Sequence, residues 1–181
     1  TDNCNNTVSG VQVITVQDIT KPVLAGVPAN ITIECDKVPS AATPTATDNC
    51  DATVTITYNE VKTNGSCTDS YTLTRTWTAT DNCNNTVTGV QVITVQDITK
   101  PVLAGIPANI TVECSAVPTA PTVTATDNCD ASVNVGMNEV RTNGTCTDSY
   151  ILTRTWTATD NCGNTSTQSQ VITVQDKTVP V

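Results

Sequence analysis

The stretch Tyr71-Thr-Leu-Thr-Arg-Thr-Trp-Thr-Ala-Thr80 decides the fold class, because every second residue in it is a threonine. In an extended chain successive side chains point to opposite faces. Thr72, Thr74, Thr76, Thr78 and Thr80 therefore share one face, and Tyr71, Leu73, Arg75, Trp77 and Ala79 share the other. The second face is predicted to be core, with Trp77 its largest member. Asp81-Asn82-Cys83 then ends the strand with turn chemistry.

The same stretch returns at Tyr150–Cys162 with one change, Ile151 for Thr72. Asp2, Asp81 and Asp160 mark a period of 79 residues, and the same shift carries Pro22 to Pro101 to Pro180 and Trp77 to Trp156. Cys35, Cys50, Cys67 and Cys83 become Cys114, Cys129, Cys146 and Cys162 without insertion or deletion. Solenoid units run roughly 20 to 50 residues. A 79-residue period instead suits a small domain with its own core. The expected organisation is residues 1–20 as the end of a preceding repeat, 21–99 and 100–178 as complete repeats, and 179–181 as the start of another.

Working outward from the Thr ladder, Thr, Val and Ile dominate and turn residues recur at short intervals. The expected fold is all-β, as tandem immunoglobulin-like β-sandwich domains. The strands of the first repeat, lettered by the immunoglobulin convention, are read at 29–35 (A), 43–48 (B), 53–61 (C), 71–80 (F) and 86–96 (G). The linker Ile98-Thr99-Lys100-Pro101 has no Gly or Ser run and is expected to be a semi-rigid spacer. An array of such units would make a rod, each adding on the order of 40 Å.

Four Cys per repeat, no His and no close-set Cys pair favour disulfides over zinc, and disulfides imply an oxidising, extracellular compartment. The strand order places Cys35 and Cys67 at one end of a repeat and Cys50 and Cys83 at the other. A ten-residue strand is about 33 Å long, far beyond the reach of a disulfide. The predicted pairs are thus Cys35–Cys67, Cys50–Cys83, Cys114–Cys146 and Cys129–Cys162, with the partner of Cys4 upstream.

A net charge of −9 with no basic run lacks the electrostatic footprint of nucleic-acid binding, and no apolar stretch is long enough to span a membrane. Catalysis finds no His base, no Gly-flanked Ser elbow and no phosphate loop. Glu34, Glu60 and Asp69 are carboxylates, but with 3% aromatics there is little to line a glycosidase cleft. No enzyme is expected.

One constellation carries ligand chemistry. Stacking of consecutive repeats would bring Asp97 towards Asp127, Asp130 and Asp160, and Asp18 towards Asp48, Asp51 and Asp81. Converging carboxylates with no nitrogen or sulfur donor suit calcium as an interdomain cofactor. The competing reading is that each Asp makes an Asx turn; both stay open. The Thr rows invite comparison with an ice or polysaccharide lattice, against the plainer reading of soluble strand formers. Arg75 and Arg154 on the core face are expected to stack on Trp or pair with Glu60 and Glu139, or else to reach past the sheet edge to solvent. Asn30, Asn64, Asn109 and Asn143 stand in Asn-x-Ser/Thr sequons.

The segments PANITIEC, TATDNC, TWTATDNCNN and VITVQD resemble the hyalin repeat, an immunoglobulin-like extracellular module. The near-identical copies look most like the repeats of very large surface adhesins of gliding and related bacteria. Asn84-Asn85 departs from the commoner Gly-Asn, which Gly163-Asn164 restores. The resemblance implies a secreted, cell-surface stalk or filament segment that spaces a distal binding region from the cell. Its partners would be adjacent repeats of the chain, with lateral copies in a fibre as a further expectation. The alternative is a repeated weak carbohydrate- or protein-binding module, for which Tyr58 is the one exposed aromatic; it becomes Met137 in the second repeat.

Overall fold

A computed structural model describes residues 1 to 179. Among the described residues, twelve strands and two short 3-10 turns make up the regular structure. In the first repeat these are β1 (Val23–Ala25), β2 (Ile31–Glu34), a 3-10 turn at Cys35–Lys37, β3 (Thr45–Thr47), β4 (Thr55–Asn64), β5 (Tyr71–Thr80) and β6 (Thr86–Gln96). The second repeat has β7 (Val102–Ala104), β8 (Ile110–Val112), a turn at Cys114–Ala116, β9 (Thr124–Thr126), β10 (Asn134–Asn143), β11 (Tyr150–Thr159) and β12 (Thr165–Val174).

Each repeat makes a four-stranded sheet, β2-β6-β5-β4 and β8-β12-β11-β10, and a two-stranded one, β1-β3 and β7-β9. β2 runs parallel to β6 and β8 parallel to β12, while β1 and β3 are antiparallel, as are β7 and β9. The chain is all-β, in tandem immunoglobulin-like domains joined by disulfides. β5 and β6 form over the residues read from the alternation, and β4 runs on to Asn64. β1 escapes a pattern reading because three residues ending at Gly26 (φ +84°) are too short to show a period.

The threonine-free face of β5 is core. Leu73, Arg75, Trp77 and Ala79 are buried, and Trp77 and Trp156 are each 2% exposed. In the second repeat Leu103 and Val123 pack with Trp156 and Ala158, while Leu152, Ile172 and Val174 form a separate cluster. Burial of each indole dominates its layer, since a Trp removes on the order of 200 Å² from water.

Residues 7–17 differ from β6 at one position, Ser9 for Thr88, yet they form no strand, and Val8, Val11 and Val16 are almost fully exposed. β6 is a strand because β2 and β5 flank it. Residues 7–17 have no such neighbours, and strand propensity without partners is too weak to hold a ladder.

By internal packing the chain divides into two compact units. One comprises Thr1–Pro28, Ala42–Asn59 and Thr76–Val90; the other comprises Ala29–Ala41, Glu60–Arg75 and the chain from Gln91 onward. The division thus does not follow the 79-residue period. Of the residues expected to open a further repeat, 180 and 181, including Pro180, lie outside the described residues.

Candidate functional site: disulfides and carboxylates in the second unit

Within the second unit two disulfides join one repeat to the next. Cys35 is bonded to Cys129 and Cys67 to Cys162, with Cα–Cα distances of 5.8 and 5.0 Å. Cys4, Cys50, Cys83, Cys114 and Cys146 are free thiols. This corrects the expected pairing within each repeat: Cys35–Cys67, Cys50–Cys83, Cys114–Cys146 and Cys129–Cys162 are not formed. Cys35 and Cys67 do lie at the same end of the strands, but at opposite edges of the sheet. Cys35 follows β2 on one edge and Cys67 sits in the turn between β4 and β5 on the other. Two to three strand spacings separate them, roughly 10 to 15 Å, against the 4.4–6.8 Å that a disulfide spans. The spacing of the cysteines carries the length of the strands but not their order across the sheet.

An Asn–Asp hydrogen bond accompanies each bridge. Asn128, next to Cys129, donates to Asp36, next to Cys35 (3.3 Å); Asn161, next to Cys162, donates to Asp69 near Cys67 (2.7 Å). Glu34 sits beside Asp97 and Cys129, but the Cys129 sulfur is held in a disulfide and is no thiolate ligand.

Three of the expected carboxylates converge. Asp97, at the end of β6, and Asp127 and Asp160, in the loops after β9 and β11, each bring an oxygen within 4.8 Å of the others. Each uses Oδ1 to accept backbone N–H bonds. Asp97 accepts from Thr99 (3.2 Å), Asp127 from Cys129 and Asp130 (2.8 and 3.1 Å), and Asp160 from Cys162 and Asn164 (2.9 and 2.8 Å). Their three Oδ2 atoms are buried with no hydrogen-bond donor. The Asx-turn and convergence readings thus both describe the geometry, one oxygen apiece. Burial first, and then the charges of Asp127 and Asp160, push Asp97 up to about 6.

Asp130 is not brought into this group: its oxygens accept from Ser132 and Asn161 N–H (both 2.9 Å). In the first unit Asp18 and Asp48 approach each other together with Cys50, and their Oδ2 atoms also lack donors. Asp51 caps Thr53 and Asn82 (3.1 and 2.9 Å), and Asp81 Oδ2 accepts from the Asn85 side chain (2.8 Å). Burial, then Asp18 and Asp48, hold the Cys50 thiol above its ordinary range.

Other polar residues on the core side are structural. Arg75 Nε donates to Glu60 (2.7 Å) and its fork to the Ser40 and Pro39 carbonyls (3.2 and 2.8 Å). Arg154 pairs with Glu139 (2.6 Å) and the Pro118 carbonyl (2.7 Å). Of the alternatives read for these arginines, ion pairing is the one formed, which also engages Glu60. The sequon residues Asn30 and Asn109 accept from Val92 and Val171 N–H (both 2.8 Å), bracing β6 and β12. Gln91 and Gln170, buried and not singled out by the sequence, donate to the Ala29 and Ala108 carbonyls (both 2.9 Å). For Gln91 the signal was a Gln interrupting the face of Val87, Ile93 and Val95, whereas Gln170 follows Ser166 and Gln168 on its face and carries no such signal. Tyr58 lies 5.4 Å from the Trp77 ring centroid. Among the described residues no helix is long and apolar enough to cross a membrane.

The pattern that defines the HYR-like domain with 4 cysteines matches residues 23–95 and 102–174. No curated protein matches the chain. Among solved structures, Drosophila N-cadherin EC1-4 is similar over 87% of this chain and 50% of its own, at 9% identity and a TM-score of 0.38. This chain thus spans half the length of that fragment. The Ig1-2 module of the Drosophila receptor protein tyrosine phosphatase DLAR is covered in full, with 86% of this chain aligned, 11% identity and a TM-score of 0.31. Human mucin-like protocadherin EC1-2 aligns over 85% of this chain and 98% of its own, at 12% identity and a TM-score of 0.33.

Proposed function

Because the chain belongs to the HYR-like domains with four cysteines, in two tandem copies, we propose that it is a load-bearing segment of an extracellular, cell-surface adhesion protein. On this reading the repeats space a distal binding region from the cell and do no catalysis. One observation carries it: bonds that would stabilise a single domain lie within a repeat, whereas both disulfides here join one repeat to the next. Such placement adds little to a solitary binding domain and much to a chain that must keep its repeats in register. An adhesin of gliding bacteria is the specific setting proposed, on the likeness of the near-identical copies.

The reading includes calcium between the repeats, held by Asp97, Asp127 and Asp160. Three buried carboxylate oxygens without donors repel one another at neutral pH, and a hard divalent cation removes that repulsion. In the first unit Asp18 and Asp48 are the corresponding candidates; Asp51, Asp81 and Asp130 act there and in the second unit as loop caps.

Small-angle scattering of the full chain, oxidised and then reduced, with calcium and then with EDTA, tests both statements. The expected result is a stiff oxidised particle that loosens on reduction and, less strongly, on chelation. A particle unaffected by EDTA removes calcium and keeps the load-bearing role. Repeats that move independently even when oxidised overturn the role and favour the repeated binding module.

A further inference from the structure

The four cysteines of a repeat have two different fates. Shifted by the 79-residue period, Cys129 is the counterpart of Cys50, Cys162 of Cys83, Cys114 of Cys35 and Cys146 of Cys67. The two bridges therefore follow one rule: the first cysteine of a repeat bonds the second of the next, and the third bonds the fourth of the next. Every free thiol is one for which the rule names a partner in another copy. Cys50, Cys83 and Cys4 are the accepting kind, and Cys114 and Cys146 the reaching kind.

We propose that Cys114 with Cys146, and Cys50 with Cys83, are two docking positions for further copies of the same repeat, each closed by two disulfides. The chemistry next to the free thiols repeats that next to the bonded ones. Asn49 precedes Cys50 and Asn82 precedes Cys83, as Asn128 and Asn161 precede Cys129 and Cys162. On the reaching side Asp148 stands two residues after Cys146, as Asp69, the acceptor for Asn161, stands after Cys67. At the other position Ser115 replaces Asp36, so the docking partner's Asn there meets a hydroxyl acceptor in place of a carboxylate. Pairing of Cys114 with Cys146 does not compete, because Cys114 follows β8 at one sheet edge while Cys146 lies in the β10–β11 turn at the other.

Each closure joins two thiols as one S–S bond and releases two protons and two electrons. A low-molecular-weight disulfide takes these up by thiol–disulfide exchange and leaves as two thiols. The inference stands on the cysteine positions alone, whether or not the array carries load.

The test appends a copy of residues 21–99 after residue 178, continuing the period. The extended chain is refolded in a glutathione redox buffer, alkylated and mapped by mass spectrometry without reduction. The appended second-cysteine peptide, which contains the sequence TVTITYNEVK, differs from that around Cys129, and it is told from the identical peptide around Cys50 by the Ser variant below. The expected result is that Cys114 and Cys146, alkylated in the parent chain, become protected and appear bonded to the appended counterparts of Cys50 and Cys83. Cys50 and Cys83 themselves stay alkylatable. Replacing the appended counterpart of Cys50 with Ser should free Cys114 alone. Cys114 and Cys146 still fully alkylated in the extended chain, or bonded to each other, would overturn the proposal.

Discussion

Cys50 and Cys129 are the same residue of two near-identical repeats, and the structure predicts that replacing them has unequal consequences. Cys129→Ser opens a bridge that closes a loop of 94 residues. Loop-closure entropy for that length gives about 4.7 kcal/mol at 25 °C. While Cys67–Cys162 survives, the loop shortens to the segments 35–67 and 129–162, and the figure falls to about 4.3 kcal/mol. Cys50→Ser removes an exposed free thiol and should change stability by less than about 0.5 kcal/mol. Urea unfolding of the oxidised chain, followed through Trp77 in one unit and Trp156 in the other, measures both variants. The expected loss for Cys129→Ser is about 2 to 5 kcal/mol, allowing for residual structure in the unfolded chain, and it should vanish when wild type and variant are compared under reducing conditions. Bridges within repeats would make the two substitutions equally damaging. Equal losses, or none for Cys129→Ser, would therefore refute the pairing.

Three further outcomes are expected. Glu139→Gln leaves the 4%-exposed Arg154 without its counter-charge, and should cost about 2 to 3 kcal/mol in urea unfolding. Asn84 has φ +68° where Gly163 has φ +87°; Asn84→Ala should cost about 1 kcal/mol and Asn84→Gly nothing or less than nothing, read from the thermal midpoint. Asp97 is raised from 3.8 to about 6, so the folded state of the chelated protein binds its proton more tightly than the unfolded state does. Its contribution is full below about pH 3.8 and is lost as pH rises through about 6; Asp97→Asn should flatten the stability profile in that window, measured by unfolding at fixed salt in EDTA.

The long strands were legible because Thr alternation over ten residues leaves one register with a buried face, and Trp77 fixes which face that is. Arg75 was legible as a buried cation, since its place in the alternation is forced and Glu60 was within reach on the neighbouring strand. β1 and β7 were not, because three residues carry no period. The carboxylate group was legible in part. Asp97, Asp127 and Asp160 meet as the tandem order suggested, but Asp51 and Asp130 turn towards the neighbouring Asn82 and Asn161 amides, which no spacing reveals. The disulfides expose the deeper limit. Spacing in a perfect tandem array is degenerate: a cysteine in one repeat stands in the same pattern as its counterpart in the next, so a pairing within a repeat and a pairing between repeats produce the same sequence. Only the edge positions of β2 and of the β4–β5 turn break that degeneracy.

Pulling the chain by its ends separates the alternatives mechanically. A fully unfolded chain of 181 residues extends to about 630 Å at roughly 3.5 Å per residue. With Cys35–Cys129 and Cys67–Cys162 closed, the shortest covalent path crosses from one repeat to the next at a sulfur–sulfur bond and bypasses more than 90 residues. The limit then falls to about 300 Å. Four bridges within repeats would bypass only one loop of about 33 residues in each repeat, leaving a limit of about 400 Å. Single-molecule extension of the oxidised chain should therefore stop near 300 Å and lengthen to about 630 Å on adding reductant. A stop near 400 Å would show that the repeats are stapled singly. A limit near 300 Å means that Ile98-Thr99-Lys100-Pro101 never bears the load, since the linker lies inside the bypassed segment between Cys35 and Cys129. On that covalent path a pull on the ends passes through the two bridges and not through the linker.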